Sequence, residues 1–187
     1  MLRTWTLALA LTGLAATSAF AATQAPAPKN APVNACALLK DDEVSAILGV
    51  KVLPGERRDE GNVEPNEYVK VGTYSSTCLW RVASDKTNDP TKPMNGISFA
   101  ILNAMQWPKG GDDAKKFIQS FHEAAEAGVI DNKPVSLKIG DDAIWWGDGV
   151  AVRKGDRSFG ISVHLTDGRP KERGMEEELA KKIAPRI

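Results

Sequence analysis

The two histidines, His122 and His164, are the first places to look for chemistry in this 187-residue chain. In His122-Glu123-Ala124-Ala125-Glu126, a helix sets His122 and Glu126 at i,i+4, where both reach one metal ion. A zincin carries histidine at both ends of that spacing and adds a third ligand. Here glutamate stands second, so the sequence predicts a solvated helix flank and no metal. His164 shares a strand face with Ser162, but no acid is identifiable to complete a triad. The chain has no Gly-x-Ser-x-Gly elbow, no Ser-x-x-Lys pair and no phosphate-binding glycine loop. Gly110-Gly111 precedes a helix, yet Asp112 and Asp113 repel phosphate there. Asp141, Asp142, Asp148 and Asp156 lack the alternating spacing of a calcium loop, and Asp beside Gly is what tight turns need. The expectation is a non-catalytic protein without cofactor. The alternative is a hydrolase whose carboxylates or histidines meet only in the fold, since pair geometry and not abundance makes such a site.

Aromatic and basic side chains are the remaining candidates. Consecutive Trp145 and Trp146 must point to opposite faces of a strand. One enters the core, and the other faces out or lies beneath a helix. Trp107 precedes Pro108 in a loop and is expected at the surface, where aromatics serve recognition. The expected partner-binding surface therefore comprises Trp107, Trp146 and the Glu56 to Asn66 loop with Arg57 and Arg58.

The compartment follows from the first 21 residues. Arg3 gives a positive start, Leu7 to Leu14 an apolar centre, and Ala19-Phe20-Ala21 a small-x-small cleavage site, so residues 1–21 read as a signal peptide. The apolar centre is short for a bilayer span, and no second long apolar segment follows. Residues 22–32 are small, rich in proline and nearly uncharged, and are expected to form a flexible leader. Residues 33–187 suit a single domain. The expected location is the periplasm or the exterior, with no stable membrane span in the mature chain. An even pair of cysteines, Cys36 and Cys78, reads there as one disulfide. A redox pair would need Cys-x-x-Cys, and two thiolates alone do not complete a tetrahedral metal site.

Lys+Arg and Asp+Glu both number 24, and loss of Arg3 with the signal leaves one net negative charge. A near-neutral chain has no general electrostatic attraction to nucleic acid or anionic lipid. The expected partner is a periplasmic protein or a small ligand.

The elements that position these residues follow from periodicity. Leu38, Leu39, Val44, Ile47 and Leu48 predict a helical region closed by Gly49, with Asp41, Asp42 and Glu43 in its first turn. Val50 and Val52 predict a short strand, Glu56 to Asn66 a loop, and Tyr68, Val69 and Val71 a further strand. Cys78, Trp80 and Val82 alternate with Leu79 and Arg81, and Ile97, Phe99 and Ile101 with Ser98, Ala100 and Leu102. The polar stretch Ser84 to Gly96 joins these as antiparallel neighbours. Ala114, Phe117, Ile118, Phe121 and Ala125 predict an amphipathic helix ended by Gly128. Val135 to Ile139, Ala143 to Trp146, Val150 to Arg153 and Ser158 to Leu165 read as strands, the last three joined by tight Gly-Asp turns. In the last of them Ser158, Ser162 and His164 take the polar face. A final helix runs from Lys171 to Ala184. The order implies an α+β fold, an antiparallel sheet layered with helices.

Several phrases taken together resemble a group of exported bacterial domains of unknown function that are often lipoproteins. They are Cys36-Ala37-Leu38-Leu39, Glu43-Val44, Leu48-Gly49, Cys78-Leu79-Trp80, Gly140-Asp141-Asp142-Ala143-Ile144-Trp145, Val152-Arg153-Lys154-Gly155-Asp156 and Leu179-Ala180. The resemblance implies a PsbP-like sandwich, supports the Cys36–Cys78 bridge and supplies no catalytic residue. The lipid-bearing cysteine of that group is missing here.

Overall fold

Three acidic residues open the first helix. Asp41, Asp42 and Glu43 lie at the positive end of α1 (Asp41–Leu48), and the Lys40 N–H donates back to the Glu43 carboxylate at 3.1 Å. Gly49, at φ 68°, ends the helix in a conformation that side chains resist. This is a computed structural model that describes residues 32–66, 69–83, 97–166 and 169–187. Pro32–Ile187 forms one compact unit. The expected signal peptide and nearly all of the leader lie outside the described residues, as does the expected Ser84 to Gly96 connection.

Seven strands form one antiparallel sheet: β1 (Glu56–Asn62), β2 (Tyr74–Arg81), β3 (Phe99–Gln106), β4 (Val135–Leu137), β5 (Asp142–Trp145), β6 (Val150–Lys154) and β7 (Arg157–His164). Their spatial order is β1-β2-β3-β7-β6-β5-β4, so β3 and β7 lie at the centre. On one face α1 and α3 (Arg169–Ile183) bury Val44, Leu48, Leu179, Ala180 and Ile183 against Trp80, Ala100, Leu102, Phe159, Ile161 and Val163. On the other face α2 (Asp113–Glu126) packs on β5, β6 and β7, with Ile118 against Ile144 and Ala151. The α+β class and the helix-layered antiparallel sheet are thus observed. Among the described residues no helix is long and apolar enough to cross a membrane.

The Cys36–Cys78 disulfide joins a 3-10 turn (Ala35–Ala37) to β2, with Cα atoms 5.0 Å apart. Beside it, Asp41 Oδ1 accepts from the Trp80 indole at 2.9 Å and from the Gly55 N–H at 3.0 Å. Two buried carboxylates of α3 satisfy the end of β7 beyond its pairing with β6. Glu172 accepts from Leu165 N, and Glu176 from Val163 N at 3.1 Å. Glu176 also accepts the Trp145 indole N–H at 3.0 Å, and the Arg173 guanidinium lies 4.6 Å from the Trp145 ring centroid.

Three element expectations need correction. Glu56 to Asn66 is not all loop: residues 56–62 form the edge strand β1, paired through backbone with β2 and bulged between Arg58 and Gly61. An edge strand exposed on both faces needs no apolar alternation, which is why the pattern missed it. Val50 and Val52 yield only an isolated bridge, Val52 to Val82. Val69 and Val71 lie in a bend and turn, and Tyr68 is outside the described residues.

Candidate functional site

Alternation gives β3 two unlike faces. Ala100, Leu102 and Ala104 are wholly buried on the α3 side, while Phe99, Ile101, Asn103 and Met105 on the opposite face are half-buried. On β7, Phe159, Ile161 and Val163 point to the core, and Gly160, Ser162 and His164 are half-buried. The register sets Phe99 beside His164, Ile101 beside Ser162, Asn103 beside Gly160 and Met105 beside Ser158. Thr77 and Leu79, which share this face on β2, are buried, and α2 covers the side toward β5 and β6. The half-buried side chains of β3 and β7 thus make a shallow trough along the two central strands.

An aromatic row runs along α2 from the end of β3 to the end of β5. Trp107 lies against Phe117, Phe117 against Phe121 and Phe121 against Trp146, with centroid separations of 6.0, 5.3 and 5.6 Å. Phe117 and Phe121 are one helical turn apart, so the helix itself links the two tryptophans. Trp107 follows β3, and its indole N–H donates to Ser158 Oγ on β7 at 2.8 Å. That contact closes one end of the trough. At the other end the His164 ring lies 5.5 Å from Phe99.

The middle of the floor is polar. Asn103 Nδ2 donates to Ser75 Oγ at 3.1 Å and Thr77 Oγ1 at 2.9 Å, which commits the amide NH2 to β2. Beside it, a Cβ at Gly160 would meet nothing within 4 Å. Gly149 is different: a Cβ there would lie 2.4 Å from Ser162 Oγ and 2.7 Å from the Ile161 carbonyl oxygen, so packing requires that glycine. No lysine, arginine, aspartate or glutamate stands on the trough face of β3 or β7.

The expected surface does not assemble as foreseen. Trp107 is only 5% exposed, so it is a core residue and not a surface one. Its neighbours explain this, because Ser158 and Phe117 supply a polar and an apolar partner at once. Ser158, expected on a polar face, is itself fully buried beneath it. Trp146 is half-buried against Phe121 and also borders a separate cavity of about 350 Å³ with Val129, Ile130, Asp131, Asn132 and Asp148. Arg57 and Arg58 lie on β1, five strand spacings from β5 and thus about 24 Å from Trp146. They belong to a different surface. Both are ion-paired, Arg57 to Glu60 and Arg58 to Glu56 at 2.9 Å, and buried Arg81 also grips Glu56. The Arg58 hydrogen bond, helped by the Arg81 charge, holds the Glu56 carboxyl below its usual range.

His122 is half-buried on α2, and among the described residues no group of three histidine, cysteine or acidic side chains is placed to hold a metal ion. The trough itself was missed by sequence reasoning. Its two signals were Asn103, a polar residue between Ile101 and Met105 on one strand face, and Gly160 inside a central strand. Compared with protein-family models, curated proteins and solved structures, the chain matches none.

Proposed function

We propose that this protein is a non-catalytic binding domain working in the periplasm or after secretion, and that it holds its ligand in the β3–β7 trough. The observation that carries this reading is the half-buried row Phe99, Ile101, Asn103 and Met105 on a central strand. A sheet centre normally buries such side chains on both faces in a layered fold, and apolar recesses with a few polar groups are where small molecules bind. Export is supported by the signal-like residues 1–21 and by the Cys36–Cys78 disulfide, which persists in oxidising compartments. The fold is read as the PsbP-like sandwich that the sequence resemblance implies, supported by an antiparallel sheet between helices.

Hydrogen exchange tests the binding reading. With the small-molecule fraction of a periplasmic extract, amides of 99–106 and 157–164 should gain protection while those of β1 do not. If no fraction protects β3 or β7, the trough is not a binding site.

A further inference from the structure

We infer that the cavity between the end of α2 and the β5–β6 turn binds a small organic cation, an alkylated ammonium group seated on Trp146. The site is separate from the β3–β7 trough and does not depend on it. Its walls come from two segments. Val129, Ile130, Asp131 and Asn132 follow α2, and Trp146 and Asp148 belong to the turn that joins β5 to β6. A volume of about 350 Å³ suits a small ligand. Packing fixes the two segments against each other. Gly147 has φ 110°, and a Cβ there would lie 2.9 Å from Asn132 Cβ and closer still to its amide nitrogen, so the Asn132 side chain seats directly on the turn. Phe121 braces Trp146 from α2, with ring centroids 5.6 Å apart. The walls are therefore in place before any ligand arrives, which lowers the cost of binding.

Charge selects the occupant's sign. Residues 121–132 and 146–149 hold Glu123, Glu126, Asp131 and Asp148 and no lysine or arginine; Lys133 is the nearest basic residue along the chain. The negative end of the α2 dipole points to the same corner, with no basic side chain in the last turn. The walls decide which cation enters. The Trp146 ring attracts a cation through its quadrupole. Val129 and Ile130 offer apolar contact to alkyl substituents, and their side chains offer no donor atom to a metal ion. Among the described residues no three histidine, cysteine or acidic side chains group to hold one. A weakly hydrated alkylammonium gives up little on entering such walls, whereas a strongly hydrated metal ion loses water that they do not replace.

The test uses the mature chain with choline as the probe, read by titration calorimetry and by the Trp146 indole N–H resonance. Choline should bind saturably and shift that resonance. Its neutral isostere 3,3-dimethylbutan-1-ol should bind about tenfold less tightly or worse. Trp146→Leu should weaken choline binding about tenfold, and Trp146→Phe, which keeps a ring against Phe121, should weaken it less. Asp131→Asn changes an exposed side chain, so it leaves the packing alone and serves if the leucine variant does not fold. It should weaken choline binding about threefold or more. Equal binding of the neutral isostere overturns the inference, and so does unchanged affinity in Asp131→Asn or in a folded Trp146→Leu. No saturation up to about 10 mM choline overturns it as well. Displacement of choline by an equal concentration of calcium would make the cavity a metal site, and shifts confined to β3 and β7 would place the cation in the trough; either result overturns it.

Discussion

The Trp107 indole N–H and the Ser158 hydroxyl meet at 2.8 Å with Ser158 fully buried. A tryptophan in a Trp-Pro loop thereby becomes the bolt between the end of β3 and the start of β7. Trp107→Ala should cost about 3–5 kcal/mol of stability, the usual range for emptying a buried aromatic site. Trp107→Phe should cost about 1–3 kcal/mol by leaving the hydroxyl without its donor. Urea denaturation measures both; an alanine variant as stable as the parent would place the indole outside the core.

Acid should loosen the contact between the first and last helical regions. Arg186 donates through Nη1 and Nη2 to the two Glu43 carboxylate oxygens, each at 2.6 Å, and through Nη1 to the Leu38 carbonyl at 2.8 Å. The Arg186 hydrogen bond is the main cause that lowers the Glu43 pKa to about 2 from 4.5. A carboxyl depressed in the folded state stabilises fully above its unfolded pKa and loses that contribution as pH falls toward the folded value. Stability should therefore drop between pH 4.5 and about 2. Allowing for partial solvent screening, the contribution of this pair is about 1–2 kcal/mol. Glu43→Gln should remove it at neutral pH and flatten that part of the acid profile; an unchanged profile would mean the pair is not formed in solution.

Reduction of the Cys36–Cys78 bond frees a 42-residue loop in the unfolded chain. Loop-closure entropy sets the expected loss at about 4 kcal/mol. Denaturation with and without reductant measures it, and two titratable thiols in the untreated native protein would show that the bond is absent.

Gly55 is the tightest glycine near that bond. A Cβ there would sit 2.7 Å from Trp80 Nε1 and 2.8 Å from Cys78 Sγ, both fixed in the core. Gly55→Ala should destabilise by about 1–3 kcal/mol through overpacking. Thermal melts read the loss directly; a melting temperature at or above that of the parent would contradict this packing.

Elements with strong periodicity are legible in the amino-acid sequence. The Phe117, Ile118 and Phe121 stripe fixed α2, and Gly-Asp turns separated β5, β6 and β7. Strand β1 was illegible because Glu-Arg-Arg-Asp-Glu-Gly-Asn carries no alternation, and its order comes from backbone bonds to β2. β3 was found without its orientation. Phe99 and Ile101 on one side and Leu102 on the other are all apolar, so the sequence could not say which face meets the core. That ambiguity hid the trough. Trp145 and Trp146 take opposite faces, as consecutive strand residues must, with α3 over one ring and α2 beside the other. Arg57 and Arg58 were grouped with it only because sequence carries no measure of distance across a sheet.

The cross-link at Cys36 lies a few residues into the Pro32–Ile187 unit, and its other sulfur belongs to β2. Tension applied from the amino-terminal side therefore passes through sulfur into the sheet and bypasses residues 37–77. While the bond is intact, helix α1 and strand β1 carry none of that load, and only reduction would let a pull unravel them.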